Sequence, residues 1–356
     1  MHRVRLDAWV QLSARLIGVN LMRPTELKEL IKSIHNANLK RAILIEGSAG
    51  LGKTQIVAQV AKELGIGFKV VHAPMLLPED YGIPVIQGPK KDRLDFVVST
   101  LKFPLESSDC LDKGIFLIDE LPQTDNSGQK ILANLIQERE IHGHKLKSGW
   151  TIVATGNRQN DRAGANRLLS HLANRLTRVS LDVSLDDWTQ WSLSNQVKTE
   201  LVAFIRFRPE LLNNFDAKND INATPRSWIE GVAQKLGVIP QASEFETFSG
   251  DVGEGPASEF LAFLKIFRKL PNPDAILLKP KTAEVPQDVA TIYALVGALV
   301  ARVTEANFGK VLEYIKRLPP EFSVLFVRDA IARCEGIQTT PEFIQWASKD
   351  GANLLS

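Results

Sequence analysis

Eight consecutive residues limit what this chain can fold into more than any others: Gly47, Ser48, Ala49, Gly50, Leu51, Gly52, Lys53 and Thr54. They satisfy the pattern G-x-x-x-x-G-K-[ST] in full, with the apolar run "AILI" before them and "TQIVAQVAKEL" after. The first run predicts a buried strand. The second, apolar at Ile56, Val57, Val60 and Leu64 and closed by Gly65, predicts a helix. Between strand and helix, such a loop turns successive backbone N–H groups toward one point, because its glycines add no Cβ to collide with an approaching phosphate. The helix N-terminus adds partial positive charge there. Lys53 then reaches the β- and γ-phosphates of a nucleotide, and Thr54 offers its hydroxyl to Mg²⁺. A chance match in a chain of this length arises on the order of once in a hundred.

The 356 residues suffice for two or three small domains. With 44% hydrophobic and 24% charged residues the chain has ample core material. A net charge of +2 argues against a dedicated nucleic-acid coat. The two cysteines, Cys110 and Cys334, lie far apart and outside any metal-like spacing, as expected in a reducing compartment. The opening segment carries Arg3 and Arg5 like a signal peptide, yet Asp7, Gln11, Ser13 and Arg15 break its apolar run. No stretch reaches transmembrane length, so no membrane partner and a cytoplasmic location are expected.

Short apolar runs alternate with helical patterns up to Val183, which predicts an α/β core with a parallel sheet covered on both faces. Beyond Ser184 the strand signals fade. The expected organisation is an N-terminal extension (1–22), an α/β nucleotide-binding core (23–183) with a hairpin insert at about 76–104, a helical lid (184–248) and a helical C-terminal extension (249–356). The proline-rich "LPNPDAILLKPKTAEVPQ" is expected to be an ordered loop or linker.

The phosphate loop alone would suit a small-molecule kinase, a GTPase or a motor. "GIFLIDELPQ" narrows the choice, because it is an apolar strand ending in Asp119 and Glu120. Adjacent carboxylates repel, a cost offset where one serves a metal and the other a water. Asp119 can hold the magnesium shell, and Glu120 can orient and deprotonate the attacking water. An acidic helix cap after a strand is the plainer alternative. "GWTIVATGN" ends near Asn157, whose amide could bond a γ-phosphate and the water, although an Asn after a strand is often only a turn residue. Arg175 closes a helical stretch, with Arg178 just behind it. Such arginines are commonly solvated, or one can reach a triphosphate bound by a neighbouring subunit. In "INATPRSWIEG", Thr224 is the expected N-cap, Pro225 the first helical residue, and Arg226 lies in the opening turn.

This order of elements resembles an AAA+ ATPase, a P-loop NTPase with a three-layer α/β core and a helical lid. Within that superfamily, "APMLLPEDYGIPVIQGPKKDRLDFVVSTLKFP", "LANLIQEREIHGHKLKSGWTIVATGN" and "TPRSW" resemble the MoxR branch. The resemblance implies ATP and Mg²⁺ as cofactors, with Gly47–Thr54 and Asp119 binding nucleotide and Thr54 and Asp119 serving the metal. It implies Glu120 and Asn157 as hydrolytic residues, Arg175 acting in trans and Arg226 in cis. It also implies a homo-oligomer, commonly a hexameric ring, acting on a protein client and often found beside a von Willebrand factor A domain protein. "RLTR" lacks the aromatic residue that often follows the finger arginine, so Arg178 and Arg162 stay as alternatives to Arg175.

The expected function is an ATP-hydrolysing, MoxR-like chaperone or remodelling motor. An AAA+ nucleic-acid translocase of restriction type and a non-hydrolysing assembly switch are the competing readings. His142-Gly143-His144 lacks further ligands at metal spacing and is expected to be a hairpin turn. Trp188, Trp191 and Trp228 are expected to pack in the helical part.

Overall fold

The computed structural model describes residues 21–158, 168–216, 218–270 and 272–351. The chain divides into two compact units, residues 1–183 and 184–356.

The first unit is built on β1 (Leu21–Met22), α1 (Pro24–Asn36), β2 (Ala42–Glu46), α2 (Lys53–Leu64), β3 (Gly67–His72), α3 (Pro78–Tyr81), β4 (Ile83–Gln87), β5 (Arg93–Val97), β6 (Lys113–Asp119), α4 (Asn126–Glu138), β7 (Glu140–Ile141), β8 (His144–Lys145), β9 (Gly149–Gly156), α5 (Ser170–Ala173) and β10 (Leu176–Leu181). One six-stranded sheet runs in the order β1-β10-β2-β9-β6-β3, every pair parallel. Its central strands are apolar on both faces, as a doubly covered sheet requires. Ile43, Ile45, Ile115, Leu117 and Val153 pack against α1 and α2 residues such as Leu27, Ile31, Val57 and Val60. Ala42, Leu44, Phe116, Ile118, Ile152 and Ala154 face the opposite core with Leu132, Leu135 and Ile136 of α4.

That strand order positions the site. β9 lies between β2 and β6, so the carboxyl ends of all three strands converge although they are far apart in sequence. Ligands of open α/β sheets gather at this edge. Two antiparallel hairpins complete the unit. In the insert, β4 pairs with β5 from Ile83↔Val97 to Gln87↔Arg93, matching the predicted "IPVI" and "LDFVV". β7 and β8 are joined by His142 and Gly143, with φ of 48° and 82°. Both turn residues are left-handed, as a two-residue hairpin loop prefers.

The second unit is helical: α6 (Leu185–Ser194), α7 (Thr199–Phe207), a π-helical segment (Ser227–Ala233), α8 (Glu244–Val252), α9 (Glu254–Arg268), α10 (Pro273–Leu278), α11 (Val289–Val300), α12 (Phe308–Ile315), α13 (Pro320–Arg333) and α14 (Pro341–Trp346). Its centre is aromatic. The Phe204 ring lies 5.7 Å from Trp228, 5.0 Å from Phe260 and 5.6 Å from Phe263, so one core runs continuously past residue 249. Trp228 Nε1 satisfies its burial by donating to Leu211 O at 2.7 Å. The helix expected from Pro225 forms, with a π-helical segment over Ser227–Ala233. One sequence expectation changes here. The proline-rich segment contains α10, whose first turn is capped by Asn272 accepting from Asp274 N at 3.0 Å. Among the described residues no helix is long and apolar enough to cross a membrane.

Candidate nucleotide site

The loop from Gly47 to Thr54 leaves β2 and enters α2. Gly50 and Gly52 carry φ of 78° and 82°, a left-handed conformation that side-chain-bearing residues avoid. The chain thus turns sharply and delivers Lys53 as the first residue of α2. Lys53 Nζ donates to Gly47 O at 2.7 Å and Ser48 O at 2.9 Å, which holds the ammonium over the loop. It also donates to Asn157 Oδ1 at 3.1 Å, tying the loop to the end of β9.

Thr54 faces β6. Its Oγ1 lies 3.1 Å from both carboxylate oxygens of Asp119, which is 8% exposed. His72, ending the neighbouring strand β3, places Nδ1 3.3 Å from Asp119 Oδ2. A hydroxyl and a carboxylate facing each other form the all-oxygen donor set a hard cation prefers.

Glu120 follows with φ of 58°, a left-handed conformation costly for a residue with a side chain. Thr155 of β9 fixes it: Glu120 N–H donates to Thr155 Oγ1 at 3.1 Å. The same hydroxyl donates to Asp119 Oδ1. Thr155 is fully buried. Next to it, Gly156 lets β9 pass Pro122, since a Cβ there would meet Pro122 Cγ at 2.6 Å. Sequence reasoning missed Thr155. Its signal was the second of two threonines in a mostly apolar strand, two positions before Asn157.

The arginines separate. Arg178 donates Nε–H to Glu46 Oε2 at 3.0 Å and Nη2–H to Glu46 Oε1 at 2.7 Å, a bidentate pair within its own sheet. Arg175 immediately precedes β10, whose first residue Leu176 aligns with Ala42 at the start of β2. Six strand steps of ~3.3 Å therefore set Arg175 roughly 20 Å from Gly47, at the opposite edge of the sheet. Arg162 lies outside the described residues. Arg226 belongs to the second unit. There Thr224 Oγ1 accepts from Ser227 N at 3.2 Å while Ser227 Oγ accepts from Thr224 N at 2.9 Å, a reciprocal cap that places Arg226 in the opening turn.

Residues 43–180 match the family described as "ATPase family associated with various cellular activities (AAA)". The matched stretch lies within the first unit. Its parallel sheet with a phosphate loop, followed by helices, is the P-loop AAA+ fold. The AAA match spans β2 to β10, and so includes the phosphate loop, Asp119, Glu120, Asn157 and Arg175. Among solved structures, the chain is similar to a putative ATPase from Cytophaga hutchinsonii (15% identity, 85% of this chain and 80% of that chain, TM-score 0.35). It is similar to a point mutant of RuvB from Thermotoga maritima (17% identity, 77% and 80%, TM-score 0.38). It is also similar to NtrX from Brucella abortus in complex with ADP (15% identity, 93% and 74%, TM-score 0.36). Likenesses this distant carry no functional argument. No curated protein matches the sequence.

Proposed function

We propose that the chain is a Mg²⁺-dependent ATP hydrolase of the AAA+ class whose active site is completed by a second copy of itself. The observation that carries this reading is the meeting of Lys53, Thr54, Asp119, Glu120 and Asn157 at the carboxyl ends of three neighbouring strands of an AAA domain.

In this reading the loop N–H groups and Lys53 hold the β- and γ-phosphates, and Thr54 and Asp119 hold the metal. Bound Mg²⁺ would neutralise charge developing on the phosphate oxygens. Glu120 takes a proton from the attacking water, and Asn157 orients that water against the γ-phosphate. Arg178 is committed to Glu46, which favours Arg175 as the arginine supplied in trans. Arg226 is assigned to the triphosphate in cis. The MoxR-like motifs favour a ring, commonly a hexamer, that uses hydrolysis to remodel a protein client, with a von Willebrand factor A domain protein as a natural candidate.

Phosphate-release and nucleotide-binding assays on variants test the assignment. Glu120→Gln is expected to bind ATP while turnover falls by roughly 10²–10⁴-fold. Arg175→Ala is expected to bind ATP and lose roughly 10³-fold or more. Arg178→Gln is expected to hydrolyse at the parent rate. A Glu120→Gln chain that turns over normally would refute the site, and a dead Arg178→Gln beside an active Arg175→Ala would reassign the trans arginine.

A further inference from the structure

Arg175 stands beside a second arginine that neither the family match nor the phosphate site accounts for. Arg41 directly precedes β2 and Arg175 directly precedes β10, and these strands are paired neighbours, so both residues lie level at one end of the sheet. Two like charges side by side on an exposed edge repel, a cost that hydrogen-bond acceptors holding one of them can offset. Arg41 is engaged. Its Nη2 donates to Asn174 O at 3.0 Å and to Leu176 O at 3.1 Å, and its Nε donates to Thr177 Oγ1 at 3.1 Å.

The two carbonyls belong to the residues on either side of Arg175. A planar guanidinium with fixed donor directions can bridge them, where a lysine ammonium holds no such plane. Arg175 N–H donates to Leu172 O at 3.0 Å, which ties the same turn back to α5. Among the described residues the Arg175 side chain itself has no hydrogen bond or ion pair, so what its own chain fixes is the backbone position from which that side chain departs.

We infer that Arg41 is a positioning residue for Arg175: it clamps the backbone on both sides of that residue and aims its guanidinium at the triphosphate of the neighbouring copy. This rests on Arg175 being the trans arginine. Arg41 is assigned no phosphate contact in this scheme, because its Nε and Nη2 donors are engaged within its own chain. Covering the edge with a neighbouring copy removes solvent from the clamp and strengthens its charge-assisted bonds.

The test uses the full-length chain and mixed assemblies. Arg41→Met is expected to keep ATP affinity and KM and to lose on the order of 10²-fold in kcat, the scale of a misplacement of about 1 Å. Arg41→Lys should fall nearly as far, and Thr177→Val, which removes one contact of three, should fall less. The decisive readout is mixing with Glu120→Gln. That partner has a dead phosphate site and an intact Arg175, whereas Arg41→Met has the reverse, so the mixture should turn over well above the sum of its parents. A chain that is merely misfolded cannot be rescued this way, since its own phosphate site would be lost. Turnover by Arg41→Met at the parent rate while Arg175→Ala is dead would overturn this inference alone, as would absence of rescue by a folded, ATP-binding Arg41→Met. Arg175→Ala turning over normally would overturn the finger assignment and this inference together.

Discussion

Replacing Thr155 by valine removes one hydroxyl and leaves the side-chain volume nearly unchanged, so no cavity confuses the result. The structure gives that hydroxyl two partners inside a fully buried site: it donates to the Asp119 carboxylate and accepts from Glu120 N–H. A hydrogen bond to a charged group contributes about 1.5–3 kcal/mol, and a neutral one about 0.5–1.5 kcal/mol. The sum is about 2–4.5 kcal/mol. Divided by a urea slope of ~2–3 kcal/mol per molar, this moves the unfolding midpoint of the first unit down by roughly 1–2 M. Thr155→Ser keeps the hydroxyl and is expected to recover most of the loss. Urea unfolding monitored through Trp150, with the other tryptophans replaced by phenylalanine, reads the unit separately. A midpoint shift for valine below roughly 0.3 M, or serine as damaging as valine, would refute the reasoning. Turnover should suffer more than stability, because Glu120 loses the contact that holds its left-handed backbone.

Other outcomes follow from burial and charge. Burial holds the His35 imidazole below its ordinary pKa, with the Lys113 ammonium a lesser cause, and Nδ1 meets Thr151 Oγ1 at 2.9 Å. The folded chain therefore favours neutral His35, so its contribution is complete above the unfolded value of about 6.5 and is lost as pH falls below it, until the folded value is passed. His35→Gln should flatten the pH dependence of stability in that window, as read by thermal unfolding at several pH values. In the helical unit, Arg206 of α7 pairs with Asp329 of α13, both side chains 6% exposed. Asp329→Ala is expected to destabilise by about 3–5 kcal/mol, whereas Arg206→Met with Asp329→Leu should come close to neutral. Denaturant titration of both variants decides it.

The phosphate loop was legible because local chemistry specifies it: glycines where φ is positive, then a lysine and a threonine opening a periodic helix. β2, β6 and β9 were equally legible as apolar runs, and so were Asp119 and Asn157 as the polar residues that end two of them. What escaped is everything set by which strands become neighbours. Thr155 bridges to Asp119 and Glu120 across a sheet pairing, and Arg41 reaches Asn174 across 133 positions. Arg178 read as a candidate until its pairing with Glu46, 132 positions away, came into view. The π-helical winding after Pro225 left no periodic mark, since its apolar residues suit an ordinary helix equally well.

The placement of Lys53 and Arg175 at opposite poles of one sheet makes each copy directional. If Arg175 serves a neighbouring copy as proposed, a two-fold pair that buries the same pole of each copy would bring no Arg175 to a phosphate loop. Head-to-tail stacking instead uses every pole. Whether such a stack ends by meeting itself or continues as a helix depends only on the rotation between successive copies.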